Sequence, residues 1–516
     1  MRRLIAAVAC LVVVLGLVPV AFAQAPAPKV TIVGLFDQVT SAGRNIYDGD
    51  FSRSSEREWY ARTRFRPDFT FEVGRTKAVL GLEIDLAYGQ MGANDGGFPG
   101  NNSGTNSGCK AGANGCLDTN TDVGGMIEIK WIYTEFDLTG KDSLMPFIPV
   151  PTVARVGGQP YATLANYKVV YANGDFAGVS AVTTWAPNLK TSLAFVQVED
   201  EIAGSNRVAR NATNRRGNDF AVIFSPEITP FKGLDIKPLY SYFYADGSTS
   251  GSARRTINNQ QGAVAPGEES RHTVGVDARW RSGPFSLDPT FMFQFGDRTQ
   301  RTSPVGTIDA LTRAFLVDVI GGFQLGPLLL EVRGAWTSGN EAKDDLRQKI
   351  RYFEPLNLDT GYYAGWAAIL ALGVDYFNGG GGTVQSMSTN IGYDRYGRRQ
   401  LGFRATYSLT PELAFYGVVS PTWTDEKVDT DTAIVAGGAA RTAPAAATNG
   451  GDSRYIGTEA DLGMTWRFAP NTVFDLQGAY LFAGGALDTL QAVTGGTQKF
   501  DSKDGWTIAA RIRLSF

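Results

Sequence analysis

The alternation of residues in the final segment, from Trp506 to Phe516, constrains the fold more than any other feature of the sequence. Apolar side chains occupy every second position: Trp506, Ile508, Ala510, Ile512, Leu514 and Phe516. The positions between them hold Thr507, Ala509, Arg511, Arg513 and Ser515. A period of two residues is the period of a β-strand. One apolar face opposite a face with two arginines predicts a sheet that has hydrocarbon on one side and water on the other.

The same alternation recurs along most of the chain. In residues 58–72, Arg62, Arg64 and Arg66 alternate with aromatic and small residues. In residues 78–88, Glu83 and Asp85 alternate with aliphatic residues. Similar segments lie at 271–280, 328–336 and 459–468. Because the sheets of a soluble β-sandwich also alternate, the pattern alone does not separate the two folds.

The connections between these segments are alternately short and long, and this favours a barrel. The short ones are 74–76, 186–188, 282–284, 325–327, 410–412 and 469–471. The long polar ones are roughly 92–123, 201–217, 246–269, 339–390, 426–453 and 484–503. Short turns on one side and long loops on the other are typical of barrels that cross an outer membrane. The sequence therefore predicts an all-β fold, a transmembrane antiparallel up-and-down β-barrel of about 18 strands (about 16 to 20), with short periplasmic turns and long extracellular loops.

Tryptophans support this prediction, because seven of the nine fall near the ends of predicted strands. Aromatic residues of membrane barrels collect at the two interfaces between lipid and water. The seven are Trp59, Trp185, Trp280, Trp336, Trp423, Trp466 and Trp506.

The N-terminus predicts export. Arg2 and Arg3 precede an apolar run over 4–20, and Ala21-Phe22-Ala23 has the form of a cleavage site, so residues 1–23 read as a signal peptide and 24–516 as the barrel. Removing two arginines from the 48 basic residues leaves 46 against 51 acidic ones. That balance predicts no nucleic-acid partner.

Two cysteines remain after the signal, in a loop rich in glycine and asparagine. An oxidising compartment favours a disulfide between Cys109 and Cys116. No histidine lies nearby, so we predict no metal site and no cofactor.

The chain resembles Gram-negative outer-membrane porins in its signal, its alternating turns and loops, and its final strand ending on Phe516. The resemblance implies a channel in the cell outer membrane for small polar solutes, anionic ones included. It also implies contact with outer-membrane lipid and lipopolysaccharide, and with the barrel assembly machinery through Phe516. It leaves open a solute-specific channel, an alginate-export-like barrel, a plugged structural barrel, and the choice between monomer and homotrimer.

Porins typically narrow the pore with their third long loop, which folds inward opposite a ladder of arginines. The corresponding loop here runs from about 160 to 175. The constriction residues it predicts are Tyr161, Asn166, Tyr167, Lys168, Tyr171 and Asp175. An ordinary external loop is the alternative reading.

The opposite wall is predicted from charge. The candidate pore-lining residues are Arg62, Arg64, Arg66, Arg467, Arg511, Arg513, Glu83 and Asp85. Closure of a barrel places the last strand beside the first, which brings two arginine groups to roughly 10 Å from each other. Such a wall attracts anions, unless Asp68, Glu72, Asp461, Asp475 and the two carboxylates above neutralise it as an ion-pair lattice.

No enzymatic activity is predicted. A Ser or Cys nucleophile needs a general base, and the only histidine, His272, falls on the predicted lipid side of its strand. One apolar segment, 361–377, lies inside the longest loop. It reads either as a helix folded into the mouth or as an extra strand that pairs with 383–393 and raises the strand count.

Overall fold

The structure is a computed structural model. It describes residues 27–46, 50–52, 57–88, 127–161, 167–168, 170–173, 175–199, 219–245, 265–301, 307–358, 366–372, 395–433, 441 and 450–516. The predicted signal peptide and the predicted Cys109–Cys116 disulfide lie outside these residues.

Eighteen long strands form one sheet, and we number them β1 to β18 in chain order. Their bounds are β1 Lys29–Arg44, β2 Arg57–Val73, β3 Thr76–Tyr88, β4 Ile127–Thr139, β5 Thr152–Pro160, β6 Asp175–Ala186, β7 Leu189–Glu199, β8 Asp219–Phe231, β9 Leu234–Ala245, β10 Ala265–Ser282, β11 Phe285–Arg301, β12 Thr307–Leu325, β13 Leu328–Thr337, β14 Arg398–Ser408, β15 Leu413–Val428, β16 Ser453–Ala469, β17 Thr472–Ala483 and β18 Gly505–Ser515.

The sheet closes on itself. Each strand pairs antiparallel with the strands before and after it in the chain, and β1 also pairs with β18 over Leu35–Arg44. Two backbone hydrogen bonds, of 2.9 and 3.0 Å, join Gly34 to Phe516 beyond the end of β18. Closure leaves no strand edge without hydrogen-bond partners, and a sheet in lipid requires this. The predicted antiparallel barrel and its count of 18 strands are confirmed.

The connections alternate as predicted. All six predicted short turns are present, and a seventh joins β8 to β9 at Lys232–Gly233. The turn glycines Gly74, Gly233, Gly283 and Gly326 have φ of 60°, 94°, 56° and 54°. Only glycine adopts this region without a steric penalty. The turn at 232–233 was not predicted.

Residues 140–151 form one wide turn between β4 and β5, which is longer than the other turns. The Gly140 amide donates to the Ile148 carbonyl at 2.9 Å, and the Thr139 hydroxyl donates to the Val150 carbonyl at 2.5 Å. The Arg75 guanidinium of the neighbouring turn bonds the Asp142 carboxylate at 3.0 Å. The segment is therefore a turn and adds no strand.

Side chains alternate between the two faces of the barrel wall. On β16, Leu462 is 75 % exposed, whereas its neighbour Asp461 is 2 % exposed. The exposed large side chains form a band around the outside of the barrel, for example Ile32, Phe71, Leu193, Phe291, Phe403 and Ile508. An apolar exterior opposite a polar inner face is the pattern of a barrel in a bilayer.

Part of the interior is apolar, which the sequence analysis did not predict. Inward-facing Val196, Ile223, Phe243 and Leu316 are buried. They belong to one cluster with residues of two loops that fold inward: Tyr161, Tyr171, Phe353, Leu356 and Ile369. The alternation correctly separates the two faces, but it does not show that loops cover part of the inner one.

Short elements lie in the long connections. They are the β-pairs Ala172–Asn173 with Asn357–Leu358 and Thr489–Val493 with Gly496–Phe500, the strand Lys349–Ile350 beside β12, the π-helical turn Ala368–Leu372 and the 3-10 turn Gly485–Leu487. Within the described part of the chain, no helix is long and apolar enough to span a bilayer.

Candidate functional site

Four arginines lie on the two strands that flank β1. Arg64 of β2 and Arg513 of β18 both lie opposite Asp37. One row nearer the loops, Arg62 and Arg511 flank β1 in the same way. Neighbouring strands are about 4.8 Å apart, so the two arginine groups are separated by roughly 10 Å, as the sequence analysis expected. We call these four residues and their neighbour the arginine wall: Arg62, Arg64, Arg66, Arg511 and Arg513.

One carboxylate on β3 holds two members of the wall. Glu83 Oε1 lies 3.0 Å from Arg64 Nη2, and Glu83 Oε2 lies 2.9 Å from Arg66 Nε. Lys130 Nζ of β4 lies 3.5 Å from the same Oε2. Three cations therefore share one buried carboxylate at this part of the inner wall.

The other wall residues differ in their surroundings. Arg511 is buried, and its guanidinium bonds Asp475 Oδ2 at 2.9 and 3.1 Å. Arg513 is half-buried, one row nearer the turns. Arg467 is exposed at the turn end of β16, so it does not join the wall.

For two of the predicted pore-lining residues, only the position of the backbone in the sheet is described. Asp85 of β3 lies opposite Arg64 of β2, and Arg62 opposite Ala87. The side chains of Arg62 and Asp85 lie outside what the structure describes.

The loop between β5 and β6 reaches the far wall through the interior. Lys168 Nζ donates to the carbonyl oxygens of Asp288 and Asp318 at 2.6 Å each, and it lies 3.6 Å from Asp318 Oδ2. The Lys168 amide donates to Asp277 Oδ2 at 3.0 Å. These partners belong to β10, β11 and β12, which are five to seven strands from β5 around the barrel. Only a segment that crosses the lumen makes these contacts.

Tyr167 packs against cations of the same wall. Its ring centroid lies 4.3 Å from the Arg279 guanidinium and 5.1 Å from Lys237 Nζ. Arg279 also donates to the Tyr167 carbonyl at 3.1 Å. Contacts of this type are favourable because the ring face is negative. Lys237 in turn lies 3.4 Å from Glu227, so the loop tip rests on a charged part of the wall.

The remaining predicted loop residues divide into two groups. Tyr161 and Tyr171 are buried in the apolar cluster, and Tyr161 packs against Phe176 with ring centroids 5.7 Å apart. Asp175 begins β6 opposite Pro160, but its side chain lies outside the described set, as does the whole of Asn166.

The loop between β13 and β14 also enters the lumen, and a buried cluster of four charges holds it. Glu354 Oε2 accepts hydrogen bonds from Arg271 Nη1 at 2.8 Å and from Arg298 Nη2. Glu269 accepts from Arg298 at 2.8 and 3.1 Å, and it lies 3.1 Å from Arg271. The cluster holds two positive and two negative charges. Buried charges are costly unless opposite charges pair with them, and here each charge has such a partner.

A second part of the same loop rests on β16. The Ala368 amide donates to Asp461 Oδ2 at 3.0 Å, and the Ile369 and Leu370 amides donate to the two Glu459 oxygens at 2.6 and 2.8 Å. The two carboxylates cap the first amides of this helical turn, whose orphan N–H groups favour anions. Within predicted segment 361–377, the described residues 366–372 thus include a helical turn, Ala368–Leu372, inside the barrel. The alternative strand 383–393 lies outside the described residues.

The two loops meet each other. The Leu356 amide donates to the Tyr171 carbonyl at 2.8 Å, and Asn357–Leu358 pairs in parallel with Ala172–Asn173. A displacement of one loop therefore disturbs the other.

Glu354, Glu459 and Asp461 were not predicted as site residues. Glu459 was read only as an alternating charge on the inner face of β16, and Asp461 was also read as a candidate partner of the arginines in an ion-pair lattice. Their spacing could have indicated that they act together, because two acids at i and i+2 of a strand lie side by side on one face. Nothing in the local sequence of Glu354 indicates a buried ionic partner on a distant strand.

His272 lies on the outer face, away from the lumen. Its Nδ1 is 3.0 Å from the Tyr240 hydroxyl, and its ring stacks on Phe295 with centroids 5.0 Å apart.

The fold resembles solved structures of porins at very low sequence identity. The BenF-like porin from Pseudomonas fluorescens Pf-5 is 9 % identical over 95 % of this chain and 99 % of that chain, with a TM-score of 0.46. OccK8 (OprE) from Pseudomonas aeruginosa is 12 % identical over 95 % and 98 %, with a TM-score of 0.45. OpdK from Pseudomonas aeruginosa, solved with vanillate, is 9 % identical over 94 % and 98 %, with a TM-score of 0.44. No protein-family model and no curated protein matches the sequence. The barrel assignment rests on the strand register of this chain.

Proposed function

We propose that this protein is an outer-membrane porin, a water-filled channel for passive diffusion of small polar solutes with a preference for anions. The observation that carries the proposal is the closed ring of 18 strands with an apolar exterior and charged residues on the inner face. Such a barrel places a polar passage across a bilayer with no backbone edge in lipid.

The preference for anions follows from the arginine wall. Glu83 is shared among Arg64, Arg66 and Lys130, and we propose that this part of the wall carries an excess of positive charge. In a narrow passage with low-dielectric walls, such an excess raises the local concentration of anions and lowers that of cations.

Tyr167 and Lys168 are proposed to narrow the passage. They lie on the segment that crosses the lumen, and Lys168 is fixed there by Asp277 and Asp318. A solute then passes between this segment and the arginine wall, so its charge and width both decide its rate of passage.

A second candidate function is a plugged structural barrel. The observation in its favour is the pair of loops that pack into one buried cluster with the wall, including Tyr171, Phe353 and Ile369. A solute-specific or polysaccharide-export channel is a narrower form of the first proposal, and it uses the same lumen.

Single-channel recording of the purified barrel in a planar bilayer separates these functions. Stable open steps in salt support a channel, and three equal closing steps add a trimer. Absence of conductance from protein that shows the heat-modifiable mobility of a folded barrel contradicts the channel and supports the plugged barrel.

A further inference from the structure

Glu459 and Asp461 are two acidic residues that lie next to each other in the interior of the barrel. Both belong to β16, and they are 0 % and 2 % exposed. Their partners are backbone amides, because Ala368 donates to Asp461, and Ile369 and Leu370 donate to Glu459. The two carboxyl groups thus hold a turn of the loop between β13 and β14 inside the lumen.

The pair lacks the cation that accompanies other buried acids of the lumen. Glu269 and Glu354 are each bonded to an arginine at 2.8 Å. Among the described residues, neither Glu459 nor Asp461 forms an ion pair with a lysine or an arginine. The loop that they hold does not supply one, since the sequence of 352–394 contains no lysine and no arginine.

The charged and titratable groups around the pair lie on the neighbouring strands. They are Arg398 and Arg404 on β14, Tyr416 on β15, Asp475 on β17 and Arg511 on β18. Arg404 pairs with Glu331 at 2.6 Å, and Arg511 pairs with Asp475 at 2.9 Å. Arg398 donates to the Leu370 carbonyl at 3.2 Å, within the same turn. Tyr416 carries no charge at neutral pH. These cations therefore bind other acceptors.

The two carboxyl groups also form a hydrogen bond with each other. Such a bond requires that one of them keeps a proton, because an ionised carboxylate is an acceptor only. Asp461 Oδ1 is buried and receives no hydrogen bond from another donor among the described residues. It is therefore the oxygen on which the proton fits.

We propose that Glu459 and Asp461 share one proton, and that this proton sets the position of the inward loop. With the proton in place, the pair carries one negative charge, which the backbone amides of the turn stabilise. When hydroxide from the solvent takes up the proton, two negative charges face each other in a buried place. Because neither charge has a cation, the turn has to move so that water reaches them. The pair is thus a switch that releases the loop at alkaline pH.

Substitutions at the two positions should have opposite effects. In Asp461→Asn, the side-chain carbonyl still accepts the Ala368 amide, and the NH₂ group donates to Glu459 in place of the shared proton. The loop should then stay in place at neutral and at alkaline pH. Glu459→Gln has only one acceptor oxygen for the amides of Ile369 and Leu370, so this variant should release the loop already at neutral pH.

Infrared difference spectroscopy of the protein in lipid vesicles, between about pH 6 and about pH 9, tests the shared proton. The carbonyl band of a protonated carboxyl group should disappear at the higher pH in wild type, and it should be absent from Asp461→Asn. Asp475→Asn is the matched control, because it removes a buried acid that pairs with Arg511. This control should keep the band and its loss at alkaline pH.

Cleavage by chymotrypsin within 366–372 of the folded, vesicle-inserted protein tests the position of the loop. Each rate is divided by that of a peptide of the same sequence, which removes the pH dependence of the protease itself. Wild type should be cleaved severalfold faster at about pH 9 than at about pH 6. Asp461→Asn should be cleaved slowly at both pH values, and Glu459→Gln should be cleaved fast at both.

Absence of the carbonyl band from wild type at the lower pH, or its persistence in Asp461→Asn, overturns the shared proton. Loss of the band in wild type without faster cleavage overturns its control of the loop. If Asp461→Asn does not fold as a heat-modifiable barrel, wild type and Glu459→Gln still decide between these outcomes. Because neither readout depends on conduction, failure here is distinguishable from failure of the porin function.

Discussion

Arg298 and Glu354 form an ion pair in the interior of the barrel, although 56 positions separate them in the sequence. Arg298 belongs to the wall strand β11, and Glu354 belongs to the loop between β13 and β14. Both side chains are almost fully buried. The pair therefore ties a loop to the inner wall where water cannot replace either partner.

Replacement of Glu354 should release this loop. Glu354→Gln removes one of the two carboxylates that Arg271 and Arg298 share, and breaking a buried ionic contact from one side costs about 3–5 kcal/mol. We expect a larger mean conductance and more frequent switching between current levels in planar bilayers.

Glu341→Gln is the matched control for Glu354→Gln, since Glu341 lies on the same loop and pairs with Lys343, which is largely exposed. Equal effects of the two variants would show that the buried cluster does not hold the loop.

Much of the barrel was predictable from alternation. Whether a side chain faces the lumen or the lipid depends on its place in the local alternating pattern. Leu462 and Asp461 are adjacent in sequence, and the period of two correctly assigns one to the exterior and the other to the interior. The strand ends were less accurate. The loop predicted to end at 269 ends earlier, because β10 begins at Ala265.

The filling of the lumen was not predictable in the same way. Lys168 contacts Asp318 across 150 positions, and Glu354 contacts Arg271 across 83. These contacts depend on the curvature of the whole barrel and on where two loops meet, and neither leaves a local pattern in the sequence. The inward loop near 160–175 was inferred by resemblance, not from its own residues.

Lys168 should hold the first inward loop in place. Lys168→Met removes the two donated hydrogen bonds and the contact with Asp318, whereas Asp318 keeps Arg333 at 2.7 Å. Because Asp318 stays paired, we expect a modest loss of about 1–3 kcal/mol in the anchoring of the loop.

The measurement for Lys168→Met is the rate of proteolysis at residues 161–174 in the folded, membrane-inserted protein, which should rise. Lys141→Met, at an exposed position in the 140–151 turn, is the control and should leave the rate unchanged. A rate equal to wild type in Lys168→Met would contradict the anchoring role.

Acidic pH should loosen the long loops, which lie at the end of the barrel opposite the short turns. The Asp452 carboxylate accepts hydrogen bonds from the Thr430 amide at 3.0 Å and from Lys499 Nζ at 2.9 Å. Burial raises the pKa of Asp452, but the hydrogen bonds from Thr430 and Lys499 outweigh it and hold that pKa below its usual 3.8. A lowered pKa means that the carboxylate stabilises the folded loops above pH 3.8, and that this contribution is lost as pH falls through the lower folded value.

Hydrogen exchange of the amides in 489–500 measures this effect. After correction for intrinsic rates, exchange should be faster at about pH 3 than at about pH 6, which lie on the two sides of the ordinary aspartate pKa. In Asp452→Asn the difference should shrink. A difference as large as that of the wild type in this variant would assign the effect to other carboxylates.

The reversal potential under a salt gradient tests the central claim most directly, because it reports which ions the passage prefers. The protein with Arg64→Gln and Arg66→Gln is compared with wild type and with Arg75→Gln, a control at an exposed turn outside the lumen. We expect anion preference in wild type and in the control, and a shift towards cations in the double variant, where Glu83 loses two cationic partners and keeps Lys130. The same reversal potential in all three proteins would contradict an arginine wall that selects the solute.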